Sequence, residues 1–116
     1  MPDEIRKLTD EIRIFCDERD WKQFHDPKEL AVAISAEAGE LLQHFVWQTS
    51  EQSVRRVAER RGDVASEMAD IAMLLFEMAD YCQIDLAQAM RDKLEKNKLR
   101  YPVEKARGSN KKYTEL

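Results

Sequence analysis

Two pairs of acidic residues have the spacing that places carboxylates on one face of a helix. Glu37 and Glu40 lie in LAVAISAEAGELLQHFVW, and Glu67 and Asp70 lie in VASEMADIAMLLFEMAD. Residues three apart share a helix face, and carboxylates are rarely buried unless they are paired or bind a metal. If the two helices face each other, the four acids predict a catalytic site of hard oxygen ligands for Mg²⁺, with Mn²⁺ as a substitute.

A Glu-x-x-Glu pair alone is more often part of a solvated face, so the neighbouring residues decide between the two interpretations. Residues 71–76 (IAMLLF) carry no polar side chain, which predicts a helix that is buried on more than one side. A second row at helical spacing on the same segment consists of Asp63, Glu67, Asp70, Leu74 and Glu77. Acids beside such an apolar segment cannot all face bulk water, and this favours the metal site.

Helices are predicted to hold these acids, because three Gly, three Pro and the absence of alternating β-branched runs leave little room for strands. The predicted helices run from Pro2 to Arg19, from Pro27 (after the N-cap Asp26) to about Trp47, from a cap at Thr49 or Ser50 to Arg60-Arg61-Gly62, from Asp63 to about Gln83, and from the cap Asp85 to about Asn97. The residues expected to be buried are Ile5, Leu8, Ile12 and Phe15, then Leu30, Ile34, Leu41 and Phe45, then Ile71, Leu75, Met78 and Cys82. We predict an all-α fold, an antiparallel bundle of four to five helices.

Length and composition predict one domain in residues 1–104, followed by a basic, flexible tail in residues 105–116. With 116 residues, 43% of them hydrophobic and 36% charged, the chain is an ordinary globular protein. No apolar run is long enough to span a membrane, and the N-terminus is too polar for a signal peptide. Cys16 and Cys82 have neither disulfide-framework nor metal-ligand spacing, so reduced thiols and a cytoplasmic location are expected.

A third set of residues could bind phosphate. Lys93, Asn97 and Arg100 fall at i, i+4 and i+7, so one helix face presents two cations and an amide. Charge is uneven: residues 1–90 hold 10 basic and 19 acidic residues, a net of −9, and residues 91–112 hold 9 basic and 3 acidic, a net of +6. The acidic part would repel a nucleic acid backbone, so a small polyphosphate is the better ligand.

These motifs together resemble a known family. The order E-x-x-E, a spacer of 26 residues, E-x-x-D and then K-x-x-x-N-x-x-R-Y-P is similar to that of the MazG-like all-α nucleoside triphosphate pyrophosphohydrolases. Within that group the sequence looks most like the dCTP pyrophosphatase type, with RDWKQFHDP at 19–27, FVWQ at 45–48 and the terminal KKYTEL. The first predicted helix and residues 50–62 match less well.

The resemblance implies an activity and a role for each matched residue. The chain would cleave a (deoxy)nucleoside triphosphate, with dCTP or a related dNTP as substrate, into monophosphate and pyrophosphate, and so remove unwanted nucleotides from the precursor pool. The matched residues are Glu37, Glu40, Glu67 and Asp70 as Mg²⁺ ligands, Lys93, Asn97, Arg100 and Tyr101 towards the triphosphate, and Trp21, His25 and Trp47 around the base. A Trp at the end of the first acidic helix could itself stack on a base, although core packing is an alternative.

Two other classes of protein remain open at this stage. A di-iron carboxylate bundle needs a Glu-x-x-His motif on each of two helices, and neither acidic pair supplies that histidine. A non-enzymatic helical interaction module would use the same acids only for solvation and salt bridges. In either case the apolar segment 71–76 predicts that copies of the chain pack together, as a dimer or, as the family implies, a tetramer.

Overall fold

The computed structural model describes residues 3–116, and every regular element within that range is helical. The elements are α1 (Glu4–Glu18), a 3₁₀ turn (Lys22–Phe24), α2 (Pro27–Gln43), α3 (Ser50–Glu59), α4 (Arg61–Tyr81), α5 (Leu86–Arg100), α6 (Val103–Ala106) and a 3₁₀ turn (Tyr113–Glu115). The predicted all-α helical bundle is confirmed, and the sixth helix is a single turn. The start predicted for the first helix, Pro2, lies outside the described residues.

Two compact units make up the chain, one ending at Gln83 and one running from Ile84 to Leu116. In the first unit α4 is the central element, since it packs against α2, α1 and α3. In the second unit the guanidinium of Arg100 lies 4.6 Å from the ring centre of Tyr113. The domain boundary expected between residues 104 and 105 stays a prediction.

The helix starts follow the capping residues expected from the sequence. The Asp26 carboxylate accepts a hydrogen bond from the Glu29 N–H at 2.8 Å, directly before Pro27. Of the two residues predicted as candidates for the N-cap of α3, Thr49 is the one that caps the helix, in a reciprocal capping box with Gln52. These caps fix where α2 and α3 begin on the two sides of the acidic segment.

The end of α2 differs from the prediction, because the helix stops at Gln43 and not near Trp47. The N–H groups of His44 and Phe45 bond to carbonyls three residues earlier, which tightens the last turn. Trp47 then has a φ of 65°, which a helix does not allow. Trp47 therefore does not extend the helix that carries Glu37 and Glu40.

The predicted ends of the third helix, at Arg60-Arg61-Gly62, and of the last helix, near Asn97, are also corrected. The break lies at Arg60, whose backbone leaves the helical region, and Gly62 is already inside the first turn of α4. At the other end α5 continues to Arg100, and the short helix α6 follows Pro102, whose fixed φ suits a helix start. The extra turn keeps Lys93, Asn97 and Arg100 on one continuous helix.

Much of the apolar surface predicted to be buried is exposed in the single chain. Leu8, Phe15 and Leu75, each expected inside the core, are 39%, 46% and 41% exposed. Among the described residues the large apolar side chains are mostly half-buried or exposed, and only Leu30 is almost fully enclosed. No helix in residues 3–116 is long and apolar enough to cross a membrane.

Candidate active site

Three of the four acids meet where α2 packs on α4. Glu37 on α2 and Glu67 and Asp70 on α4 each offer one carboxylate oxygen, and these oxygens lie within 4.8 Å of one another. Glu40 is more exposed, and its carboxyl group is close enough to raise the pKa of both Glu37 and Glu67. The structure thus brings together four carboxyl groups that the sequence separates by up to 33 positions.

Crowding of these carboxyl groups disfavours their ionised forms. Burial, the adjacent Glu40 carboxyl group and the negative charges of Asp70 and Glu67 raise the pKa of Glu37. Causes of the same kind raise the pKa of Glu67. His44, whose Nε2 lies 3.8 Å from Glu67 Oε1, offsets a small part of this rise in pKa. Without a cation the group is therefore electrostatically unfavourable when fully charged.

The donor set suits a divalent metal ion. Glu37 Oε2 and Glu67 Oε2 are both buried from solvent, and neither has a hydrogen-bond partner. Buried acceptors without a donor are costly, and hard carboxylate oxygens are the ligands that Mg²⁺ and Mn²⁺ prefer. A cation among these oxygens would satisfy both buried acceptors and relieve the repulsion, so the residues present can hold one.

A cavity of about 770 Å³ opens from the acids into the space between α1 and α4. Glu37 and Asp70 line it together with Trp21 and His25, two residues that the sequence placed around a base. Trp21 is held edge-on against Phe15, with ring centres 5.5 Å apart. Most of the other lining residues are apolar and come from α1 and α4, with one further acid on α1: Leu8, Glu11, Ile12, Phe15, Ala69, Ala72, Met73, Leu74 and Phe76. The cavity therefore connects the acidic group, which could bind a metal ion, to an apolar space large enough for a small-molecule ligand.

A second polar group lines the same cavity. The Cys16 thiol donates to Glu77 Oε1 at 3.0 Å, and His25 Nδ1 lies 3.1 Å from Glu77 Oε2. Burial and this hydrogen bond raise the pKa of the Cys16 thiol to about 12, so the thiol is protonated at neutral pH. These three side chains come from α1, from the loop before α2, and from α4.

The remaining predicted site residues are Trp47, Lys93, Asn97, Arg100 and Tyr101. Trp47 is 99% exposed and does not line the cavity. Lys93, Asn97, Arg100 and Tyr101 belong to the second unit, where Lys93 is exposed and Tyr101 packs edge-on against Tyr113. The assignment of these residues to substrate stays a prediction.

The sequence alone did not single out Glu77, Cys16 and His44 as site residues. Glu77 was visible as the last member of the row that contains Glu67 and Asp70, but no partner for it could be named. His44 has a ligand-like spacing, four residues after Glu40, but a neutral histidine on the helix face is the interpretation that the sequence favours. Cys16 carries no distinguishing spacing, since its partner comes from another helix. Only the packing of α1 and α2 on α4 reveals them.

Known proteins with similar sequences and structures place the chain in one family. The model of the MazG-like family matches residues 32–116. Sequences named dCTP pyrophosphatase 1 are 40% identical in Bos taurus and in Homo sapiens, over 98% of this chain and 67% and 66% of theirs. This chain thus spans about two thirds of the length of those relatives. A crystal structure of a pyrophosphatase from Archaeoglobus fulgidus is 38% identical and superimposes with a TM-score of 0.83, covering 86% of this chain and 94% of that one. The chain belongs to the MazG-like family.

Proposed function

We propose that the protein is a nucleoside triphosphate pyrophosphohydrolase that hydrolyses dNTPs to monophosphate and pyrophosphate. The observation that carries this proposal is the crowded group of Glu37, Glu67 and Asp70, with buried unpartnered oxygens, at a cavity that also contains Trp21 and His25. The relatives named dCTP pyrophosphatase and the structurally similar pyrophosphatase support the same activity. A non-enzymatic module would have no reason to keep uncompensated acids beside an open cavity.

Glu37, Glu40, Glu67 and Asp70 hold the divalent cation in this proposal, and Mg²⁺ is the ion expected. When bound there, the cation neutralises phosphate charge and lowers the pKa of a bound water. Glu37 or Glu40 accepts the proton of the attacking water as its oxygen bonds to the α-phosphorus. The bond from that phosphorus to the oxygen that bridges to the β-phosphate then breaks, and pyrophosphate leaves.

The basic face of α5 is proposed to bind the triphosphate. Lys93 and Arg100 supply positive charge, Asn97 an amide and Tyr101 a hydroxyl, all within nine residues at the end of one helix. A guanidinium can bind two phosphate oxygens in parallel, which fixes the leaving pyrophosphate as well as attracting it. The net charge of −9 in residues 1–90 makes a separate cationic element necessary for a polyanionic substrate.

Cytosine is the base that we propose for the preferred substrate, in line with the named relatives. Trp21 and His25 both line the cavity, where an aromatic base can pack against the indole and the imidazole can bond to the edge of that base. Trp47 lies outside the cavity of its own chain, so we propose that it reaches the base site of a neighbouring subunit. We propose a dimer or tetramer for this reason and because α4 leaves Met68, Met73 and Leu75 exposed.

Incubation with the eight common nucleoside triphosphates and Mg²⁺, followed by chromatography of the products, tests the proposal. We expect a monophosphate and pyrophosphate, with dNTPs ahead of NTPs and dCTP first. Release of a diphosphate and inorganic phosphate would reject attack at the α-phosphorus. Equal rates on all eight substrates would keep the reaction but remove the cytosine assignment.

A further inference from the structure

Glu77 has one carboxylate oxygen that accepts a hydrogen bond and one that does not. Its Oε1 accepts the Cys16 thiol hydrogen at 3.0 Å, and the raised pKa of that thiol keeps the hydrogen in place at neutral pH. Its Oε2 is buried and has no hydrogen-bond partner, although His25 Nδ1 lies 3.1 Å away. A buried acceptor in this state is costly until a ligand or water donates to it.

Glu77 lies about as far along α4 from the acids of the candidate metal site as the base of a nucleotide lies from its α-phosphate. Asp70 and Glu77 are seven residues apart, two turns on one face, which corresponds to about 10 Å along the helix axis. Both line the 770 Å³ cavity, and the lining between them is apolar. A nucleotide with its α-phosphate near Asp70 therefore has its base near Glu77, beside the aromatic pair of Phe15 and Trp21.

We propose that Glu77 is a specificity-determining residue, with Oε2 accepting a hydrogen bond from the exocyclic amino group of a cytosine base. This rests on the proposed function, which it deepens by naming what reads the base. A carboxylate is a natural acceptor for the 4-amino group of cytosine. Uracil and thymine present a carbonyl oxygen there, so two acceptors would face each other with no hydrogen between them, and such substrates are discriminated against strongly.

Cys16 is a positioning residue in this arrangement. Its thiol donates to Oε1 from α1, which restrains the carboxylate of a residue that lines the cavity and leaves Oε2 without a hydrogen bond. A metal ion bound by Cys16, His25 and Glu77 is the competing use of the same side chains, since their donor atoms lie within 4.8 Å of one another. It would require loss of the thiol proton, which the high pKa of Cys16 opposes.

The test compares dCTP with dUTP, whose bases differ in whether C4 carries an amino group or a carbonyl oxygen. Values of kcat/KM are measured for the wild type, for Glu77→Gln and for Glu18→Gln, a control that removes an exposed carboxylate charge from α1. We expect the dCTP-to-dUTP ratio to fall about tenfold or more in Glu77→Gln, because the amide can offer a donor to the uracil carbonyl. The ratio is expected to stay at its wild-type value in Glu18→Gln.

Calorimetric binding of dCMP and dUMP to the metal-free protein gives a second readout that does not need catalysis. If the wild type prefers dCMP and Glu77→Gln loses this preference, the proposal is supported even if pyrophosphate release is never observed. A failure of the proposed function can thus be distinguished from a failure of the proposed role of Glu77. An equal loss for both nucleotides, or a wild type without preference, overturns it. If Glu77→Gln does not fold, Cys16→Ala takes its place, and an unchanged ratio there overturns the proposal. Stoichiometric Zn²⁺ binding that Cys16→Ala abolishes would also overturn it.

Discussion

Neutralising Asp80 should show how much one ion pair contributes to holding α1 against α4. Arg13 on α1 donates from Nε to Asp80 Oδ2 at 2.9 Å and from Nη2 to Asp80 Oδ1 at 2.6 Å. The same guanidinium contacts Asp10, three residues earlier on α1, at 3.1 Å. One arginine thus makes a contact between helices and a contact within a helix. Asp10→Asn is therefore a matched control for Asp80→Asn.

The expected cost follows from the geometry and exposure of the pair. The Arg13–Asp80 contact is bidentate, and the two side chains are 39% and 28% exposed. Exposed pairs contribute about 0.2–1 kcal/mol, whereas breaking a buried pair costs about 3–5 kcal/mol. We expect Asp80→Asn to lower the free energy of unfolding at pH 7 by about 1–2 kcal/mol, or about 4–8 °C in Tm. Asp10→Asn should cost less than about 0.5 kcal/mol.

Thermal unfolding followed by circular dichroism at several pH values is the assay. Arg13 holds the pKa of Asp80 below its usual value of 3.8. Because the folded pKa is depressed, the stabilisation is present above that usual value and is lost as the pH falls through the folded pKa. The difference between wild type and Asp80→Asn should therefore shrink towards zero in strong acid. If Asp80→Asn costs no more than Asp10→Asn at neutral pH, the pair does not hold the two helices together.

The acidic group and the exposed apolar surface give three further tests. Glu67→Gln and Asp70→Asn should each lower kcat/KM by more than about 100-fold with the helical circular dichroism unchanged; near-normal rates in both would remove these acids from the site. Because the pKa values of Glu37 and Glu67 are raised in the folded protein, these two groups stabilise the fold fully below about pH 4.5, their usual pKa. This stabilisation is lost as the pH rises through the raised pKa values. The metal-free protein should thus melt lower at pH 7 than near pH 5, and Glu37→Gln should flatten this dependence; an unchanged dependence would contradict it. Light scattering of the wild type should give a mass that is a multiple of 13.6 kDa. Leu42→Glu, at a position that is 62% exposed in the single chain, should lower this mass. A wild-type mass of 13.6 kDa would exclude assembly.

The parts of the fold that depend on local signals could be predicted from the sequence. Caps such as Asp26 and Thr49 bond to N–H groups within three residues, so the chain itself carries the information on where α2 and α3 begin. Helix ends were less predictable, since the apolar pattern continues through Phe45 to Trp47 while the backbone has already left the helix. Phe45 and Trp47 thus continue the apolar pattern of the helix in the sequence, although neither residue belongs to the helix.

The candidate site was predictable to the extent that its residues share a helix face. Glu67 and Asp70 are adjacent on α4 by spacing alone, and their meeting with Glu37 required only that α2 pack on α4. Cys16 and Glu77, by contrast, are 61 positions apart and are joined by a single hydrogen bond between α1 and α4. Neither residue type signals such a contact, because a buried thiol is usually a small apolar side chain. Contacts of this kind depend on how two helices are rotated against each other.

The apolar character of α4 explains how one helix can serve both the core and the candidate site. Apolar side chains such as Ile71 and Met78 are half-buried in the first unit, while Asp70, Leu74 and Glu77 of the acidic row line the cavity. Because a packed helix is rigid, the distance of about 10 Å between Asp70 and Glu77 is set by the backbone and not by flexible side chains. The separation between the metal-type acids and the proposed base-reading carboxylate is therefore fixed before any ligand binds, and selection can rest on the chemistry of the base edge.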